Sequence, residues 1–308
     1  MKKVIFVLLL LVACMGPVQK KLPQSAEVMT GTSALEVSFN PNSMKDLLMC
    51  QEANVLVDMK NVGALDIEGG IRSFILEEQT LKPVKMEEKQ KSFDLEGKSQ
   101  FNPRGGVAQF EFKVKNVGLP EQLESYDSPL ILQACYTYKT SAGVQVCIDP
   151  DTKNVNPQKP CRAEPVSLSG GQGAPVAITR VEPLMVPEGN KISPKFAVYV
   201  QHVGLGTVVT EEGAELACTG GEESKARLSS YATVKADLQG RPLSCTPNPV
   251  RFEAGKEVRF ICDNEDAKFG SAEGTFTSIL NVEISYGYVN TAVLPMKITR
   301  LPGQESCK

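Results

Sequence analysis

Three observations predict an all-β chain built from two tandem sandwich modules. The stretch VLVDMKNVG, Val55 to Gly63, returns as FAVYVQHVG, Phe196 to Gly204. Runs that alternate apolar and polar residues recur along the chain, which puts one face of each strand in a core. Glycine and proline turns separate these runs, with little helical periodicity between them.

Each copy of the repeat carries its apolar residues two apart: Val55, Val57 and Met59 in the first, Phe196, Val198 and Val200 in the second. Each ends on a glycine, Gly63 or Gly204, where the chain can turn freely. Upstream, FNP at Phe39 to Pro41 has a counterpart in VEP at Val181 to Pro183. A third look-alike, FEFKVKNVG from Phe110 to Gly118, is expected to be another strand of the first module. The 308 residues suffice for about two domains. The division expected is signal peptide 1–13, flexible tether 14–33, first sandwich 34–166, Gly/Ser/Pro linker 167–175, second sandwich 176–301 and tail 302–308.

Composition narrows the function. Net charge is −3 with no basic stripe, which speaks against nucleic acid. There is no Trp for a sugar-stacking platform and a single His, His202, at the place of Asn61 in the other copy. A catalytic histidine needs a nucleophile and an orienting carboxylate, and no motif supplies them. The glycines of SLSGGQGAP are not followed by the Lys-Ser/Thr of a phosphate loop, so that stretch reads as the linker. No catalytic residue and no cofactor site is expected.

The N-terminus carries Lys2 and Lys3, then a run of nine apolar residues, then LVAC ending at Cys14. That run is too short to span a bilayer and reads as an export signal. The tetrad resembles the lipobox of prokaryotic lipoproteins. The resemblance implies cleavage before Cys14, lipid on its thiol, and anchoring on the outer face of the cytoplasmic membrane.

Removing Cys14 leaves eight cysteines, four per module, and an even set in an exported chain reads as disulfides. With no CxxC and one His, zinc is the poorer reading. In the first module either Cys135 bridges Cys147 across a hairpin, or Cys147 pairs with Cys161 and Cys50 with Cys135. The second scheme is preferred, because a bridge across the coreless 147–161 loop removes about 3 kcal/mol of unfolded-chain entropy. In the second module Cys245 and Cys262 lie symmetrically about a turn and are expected to pair, leaving Cys218 for Cys307. The same loop gathers Asp149, Asp151, Asn154 and Asn156, oxygen donors that calcium would accept. Their spacing departs from an EF-hand, and turn formation explains them more simply.

Element by element, ALEVSFNPN and IRSFILEE are expected as strands, MKDLLMC as a helical turn or loop, and 79–91 as an exposed connection. PLILQACYTYKT with GVQVCIDP is expected as a hairpin turning at Ser141-Ala142, GTVVTEEGAELACTG as strand, turn and strand, and NVEISYGYVNTAVLPMKITR as a closing hairpin around Val289-Asn290.

The strand ending on Asn61-Val62-Gly63, with its copy His202-Val203-Gly204, resembles immunoglobulin-like modules of prokaryotic surface proteins, in particular CARDB-like domains. CYTYKTSAGVQVCIDPD and SLSGGQGAPVAITRVE are similar to uncharacterised archaeal membrane-anchored proteins of two-module layout. The resemblance implies a lipid-anchored envelope protein without enzymatic activity, presenting a surface for adhesion or for an extracellular protein or envelope polymer. A lipoprotein that binds a ligand for an envelope transporter is the alternative, although the βαβ pattern usual in such binders is missing. A hydrolase working through paired acids such as Asp149 and Asp151 would place its chemistry in loops without a motif.

Overall fold

The computed structural model describes residues 29–75, 84–86, 88–116, 118–219, 230–253, 255–304 and 307. Cys14, the expected signal peptide and most of the expected tether lie outside them. The first half of the chain forms β1 (Leu35–Phe39), β2 (Asp46–Leu48), β3 (Glu52–Asn61), β4 (Ile67–Ile75), β5 (Val84–Met86), β6 (Gln90–Leu95), β7 (Val107–Asn116), β8 (Ser125–Asp127) and β9 (Leu130–Ile148). The second half forms β10 (Val166–Ser167), β11 (Val176–Glu188), β12 (Lys191–His202), β13 (Thr207–Val209), helix α1 (Glu211–Thr219), β14 (Tyr231–Leu238), β15 (Arg241–Thr246), β16 (Val250–Arg251), β17 (Glu257–Asp263), β18 (Phe269–Gly270), β19 (Phe276–Leu294) and β20 (Lys297–Thr299). The chain is all-β.

One sheet runs β1-β3-β7-β5, the A-B-E-D order of an immunoglobulin-like sandwich, and β6-β4-β9 provides the facing C′-C-F strands. The second copy repeats this: β11-β12-β17-β15 matches A-B-E-D, and β14-β19 takes the C-F position. Registers coincide as well. Leu35 faces Asn61 in the first copy and Val176 faces His202 in the second, an offset of 141 residues on both strands. Val57 faces Phe110 as Val198 faces Phe260. The organising repeat is thus a structural duplication.

The strand that would complete each sandwich comes from the other copy. Both expected hairpins are wrong: Leu130–Ile148 and Phe276–Leu294 are single unbroken strands that pair with each other along their whole lengths, Leu130 opposite Leu294 and Ile148 opposite Phe276. The reason lies in the phase of the pattern. Even-numbered residues of β9 stay on the buried face through Thr140, Ala142 and Val144, so nothing at Ser141-Ala142 reverses the chain. The first part of β9 pairs with β4 and is strand F of the first copy, while its second part fills position G of the second; β19 does the reverse. This interlock is centred on the Thr137 and Gly287 pair.

The second copy differs by an insertion. Ile71 faces Ala134 and Val234 faces Ile284, so by β14 the offset on the C strand has grown to 163, an insertion of 22 residues that splits the counterpart of β4 into β13 and β14. It contains α1, where a turn and a strand were expected. Thr210 caps it through Oγ1 to the Gly213 N–H (3.0 Å), Glu211 and Glu212 complement its first-turn dipole, and Ala214, Ala217 and Cys218 form the buried stripe. Gly287 makes room for it, because a Cβ there would run into the Thr210 carbonyl and lie 2.8 Å from Ala214 Cβ.

Two bridges correct the expected pairing. Cys50 joins Cys307 and Cys135 joins Cys218, instead of Cys50 with Cys135 and Cys218 with Cys307. The expectation kept each bridge inside one module, but the interlocked strands carry cysteines across. β20 inserts between β2 and β8, bringing the C-terminal tail to the first copy, and α1 lies over β9. The Arg300 guanidinium, donating to the Leu119, Pro120, Leu123 and Gln304 carbonyls, clamps that tail. Cys147–Cys161 and Cys245–Cys262 are the other two bridges.

Three smaller departures follow from packing. MKDLLMC holds the three-residue strand β2 at its centre and turns at Cys50, φ 71°. The polar connection 79–91 carries β5 and the first residues of β6, where the buried Met86 was masked in the sequence by the charges around it. The expected linker packs against the chain's first described residues: Ala174 is fully buried, and Gly31 donates to Gly170 and accepts from Gly173.

Candidate functional site

The tyrosine hydroxyls inside the interlock are taken up by structural hydrogen bonds. Tyr136, Tyr138, Tyr286 and Tyr288 lie on the inner face of the β9–β19 pair, with Tyr136 opposite Tyr288 and Tyr138 opposite Tyr286. The Tyr138 hydroxyl donates to the Gly173 carbonyl (2.8 Å) and accepts from Ala64 N–H (3.0 Å). In the second copy the Tyr288 hydroxyl accepts from Gly206 N–H (2.8 Å). Gly63 and Gly204, the glycines that end the repeated strand, lack a side chain for the same reason: a Cβ would strike the Tyr138 and Tyr288 hydroxyls respectively. Burial pushes the Tyr288 phenol up to about 12 and Tyr286 further still.

His202 belongs to this network. Its Nε2 lies 3.0 Å from the Tyr288 hydroxyl, and burial holds its pKa below the ordinary imidazole value. The partner is a phenol rather than a nucleophile and carboxylate pair. In the first copy Asn61 does comparable work, its amide donating to the Leu65 and Leu95 carbonyls.

The calcium candidates of the 147–161 loop converge, but on a lysine. Lys159 Nζ lies 2.7 Å from Asp149 Oδ2, 2.8 Å from the Asp151 carbonyl and 2.9 Å from Asn154 Oδ1, and 3.2 Å from Asp151 Oδ2. Its side chain is 3% exposed. Burial works against the charge, yet the bonds to Asp149 and Asp151 outweigh it and raise the pKa of Lys159. The Asn156 and Val155 N–H groups, donating to the Asp151 carboxylate, lower its pKa. Asn156 turns away from the ammonium to accept from Gln158 N–H. The loop therefore carries its own cation where calcium was considered. Sequence reasoning weighed the oxygens and missed Lys159; its place in the same disulfide loop, among those donors, was the available signal. Among the described residues no three His, Cys, Asp or Glu side chains gather as metal ligands.

Asp149 Oδ1 also accepts from Thr275 Oγ1 (2.9 Å), so the loop is fastened to the second copy. Between them lies a cleft of about 780 Å³, lined by Pro150, Val155, Pro157 and Lys153 on one side and Pro187, Lys191 and Ile192 on the other. Among its described lining residues Asp151 is the one acid.

No family model matches the chain, and no curated protein matches it. Among solved structures it is similar to the PapD-like domain 7 of human CEP192, at 10% identity and a TM-score of 0.19, over 42% of this chain and 83% of that one. It is also similar to Escherichia coli alpha-2-macroglobulin activated by porcine elastase, at 10% identity and a TM-score of 0.15, over 90% of this chain and 22% of that one. Overlaps of this quality carry no argument about function. The immunoglobulin-like assignment stands on strand order and register.

Proposed function

We propose that this protein is a non-enzymatic, lipid-anchored envelope protein, of the CARDB-like kind seen in prokaryotic surface proteins and similar to two-module archaeal proteins. It presents an interlocked pair of β-sandwiches outside the cytoplasmic membrane for adhesion or for a protein or polymer partner. The observation that carries this is the unpaired edge of β9. From Thr137 to Ile148 this strand bonds to β19 on one side and, among the described residues, to no strand on the other, and such an edge can accept a partner strand. The disulfides support an oxidising compartment, and Cys14 in its LVAC setting supports the anchor.

The test has two readouts. Mass spectrometry of protein isolated from its own membranes should find a mature N-terminus at lipid-modified Cys14 and all eight remaining cysteines oxidised; an unlipidated, reduced chain would overturn the location. Photo-crosslinkers at Lys139 and Gln145, on the outer face of β9, should capture one defined envelope partner on intact cells. Uniform labelling of neighbours would reduce the protein to a spacer. The 780 Å³ cleft beside the Lys159 loop favours the second reading, a ligand-binding lipoprotein.

A further inference from the structure

We propose, resting on the ligand-binding reading, that the 780 Å³ cleft beside the 147–161 loop takes a short acidic peptide in extended form, its carboxylates between Lys153 and Lys191 and its apolar side chains against Val155 and Pro187.

Both walls of the cleft are set before anything enters it. Cys147–Cys161 closes the loop, the buried Lys159 ammonium ties Asp149, Asp151 and Asn154 together, and Asp149 is held to Thr275 of the second copy. The Val155 and Asn156 N–H groups donate to the Asp151 carboxylate, which fixes the backbone while the Val155 side chain, 79% exposed, stands clear of it. On the other wall the β11–β12 turn passes through Gly189, φ 64°, into Lys191 and Ile192, which pair with Gly270 and Phe269 of β18. A preformed site loses little binding free energy to ordering its own loops. The ammonium that occupies the calcium candidates therefore has a second consequence: it holds one wall of the cleft in place.

The charge left unanswered in the cleft is positive. Lys153 and Lys191 are exposed, on opposite walls, and have no ion-pair partner among the described residues. The oxygens of Asp151 already take two backbone N–H groups, with Lys159 at 3.2 Å. Of the acids just outside the lining, Glu188 is paired with Lys268 (2.6 Å) and Glu273 accepts from Gly270 N–H (2.8 Å).

The remaining lining selects among anions. The volume is far above that of an inorganic ion and falls within the range of small-ligand sites, about 300–1,000 Å³. Among the described lining residues there is no arginine, whose fork matches phosphate, and no aromatic ring on which a sugar would stack. Pro150, Val155, Pro157 and Pro187 offer aliphatic surface instead. A peptide that carries carboxylates and aliphatic side chains together answers both features, and Thr152, Asn190 and Ser271 are placed to hydrogen-bond its backbone.

The experiment titrates the full mature chain, disulfides intact, into dye-labelled, end-blocked hexapeptides that alternate valine with glutamate, glutamine or lysine, and reads fluorescence anisotropy. The glutamate peptide should bind, the other two should not, and the binding should weaken as salt is raised. Lys153→Gln and Lys191→Gln should each weaken it about threefold and together about tenfold, and Val155→Ser about threefold through lost apolar contact. Lys113→Gln, an equal loss of charge at an exposed position on β7 of the first copy, should bind as the parent does. All of these side chains are exposed, so the variants should keep the parent's melting temperature. The acidic-peptide assignment is overturned if the glutamate peptide fails to bind, if the glutamine peptide binds equally, or if Lys113→Gln weakens binding as much as Lys153→Gln. A labelled glucuronate oligomer separates this assignment from the reading beneath it. If the oligomer binds through Lys153 and Lys191 and the glutamate peptide does not, the peptide is wrong and the ligand-binding reading stands; if neither binds, that reading falls as well.

Discussion

The interlock makes a prediction about cutting the chain. Residues 15–166 alone keep β1 to β9 but lose the β19 segment that fills position G, along with β20. Three side chains exposed by 2% or less go with them, Leu294, Met296 and Ile298. At about 2 kcal/mol each, their burial amounts to roughly 6 kcal/mol as an upper figure. That is comparable to the whole stability of an ordinary domain, about 5–15 kcal/mol. The isolated half should therefore show no cooperative unfolding in urea by circular dichroism, and residues 167–308, deprived of the second part of β9, should behave alike. Losing bridge partners alone would also weaken the halves, so the control is the whole oxidised protein cleaved once at a protease site inserted between Ser167 and Gly171. Cleaved but complete, it should unfold cooperatively as one unit. A cooperative transition of residues 15–166 close to that of the cleaved protein would refute the idea that each sandwich depends on the other's strand.

Three further outcomes follow. Tyr138→Phe removes a hydroxyl that serves Gly173 and Ala64 at once, and should cost about 2–3 kcal/mol in urea titration; a loss under half a unit would show these bonds to be replaceable. Since burial lowers the His202 pKa below its unfolded value of about 6.5, its contribution is complete above that value and lost as pH falls towards the folded pKa. The melting temperature of the parent should thus drop more steeply between pH 7 and 5 than that of His202→Gln, and parallel curves would exclude His202 as the cause. Lys159→Met should lower the melting temperature by leaving Asp149 buried without its cation, while calcium should leave the parent's melting temperature unchanged because the ammonium holds the oxygens. Calcium stabilisation of the parent would contradict that geometry.

What local pattern could determine, it did. Period-two alternation in VLVDMKNVG and FAVYVQHVG set strands β3 and β12, and their likeness reported a duplication that extends to the pairing register. Cys147 with Cys161 and Cys245 with Cys262 were legible because each pair closes a short stretch of chain. The reach of β9 and β19 was not, since alternation says which face a residue takes and nothing about which strand lies beside it. The same holds for Cys50–Cys307, 257 residues apart, and for Cys135–Cys218, which depend on where β20 and α1 are carried. The helix was hidden because EEGAELAC follows a strand and is short; its buried stripe has meaning only against the glycine gap at Gly287. In the candidate site the donors were visible in sequence, yet their occupant was decided by loop closure, which brings Lys159 onto Asp149 and shields it from water. Sequence determined the repeated strands and the two short-range disulfides; tertiary structure decided the partners, because pairing across hundreds of residues is set by packing that no local window contains.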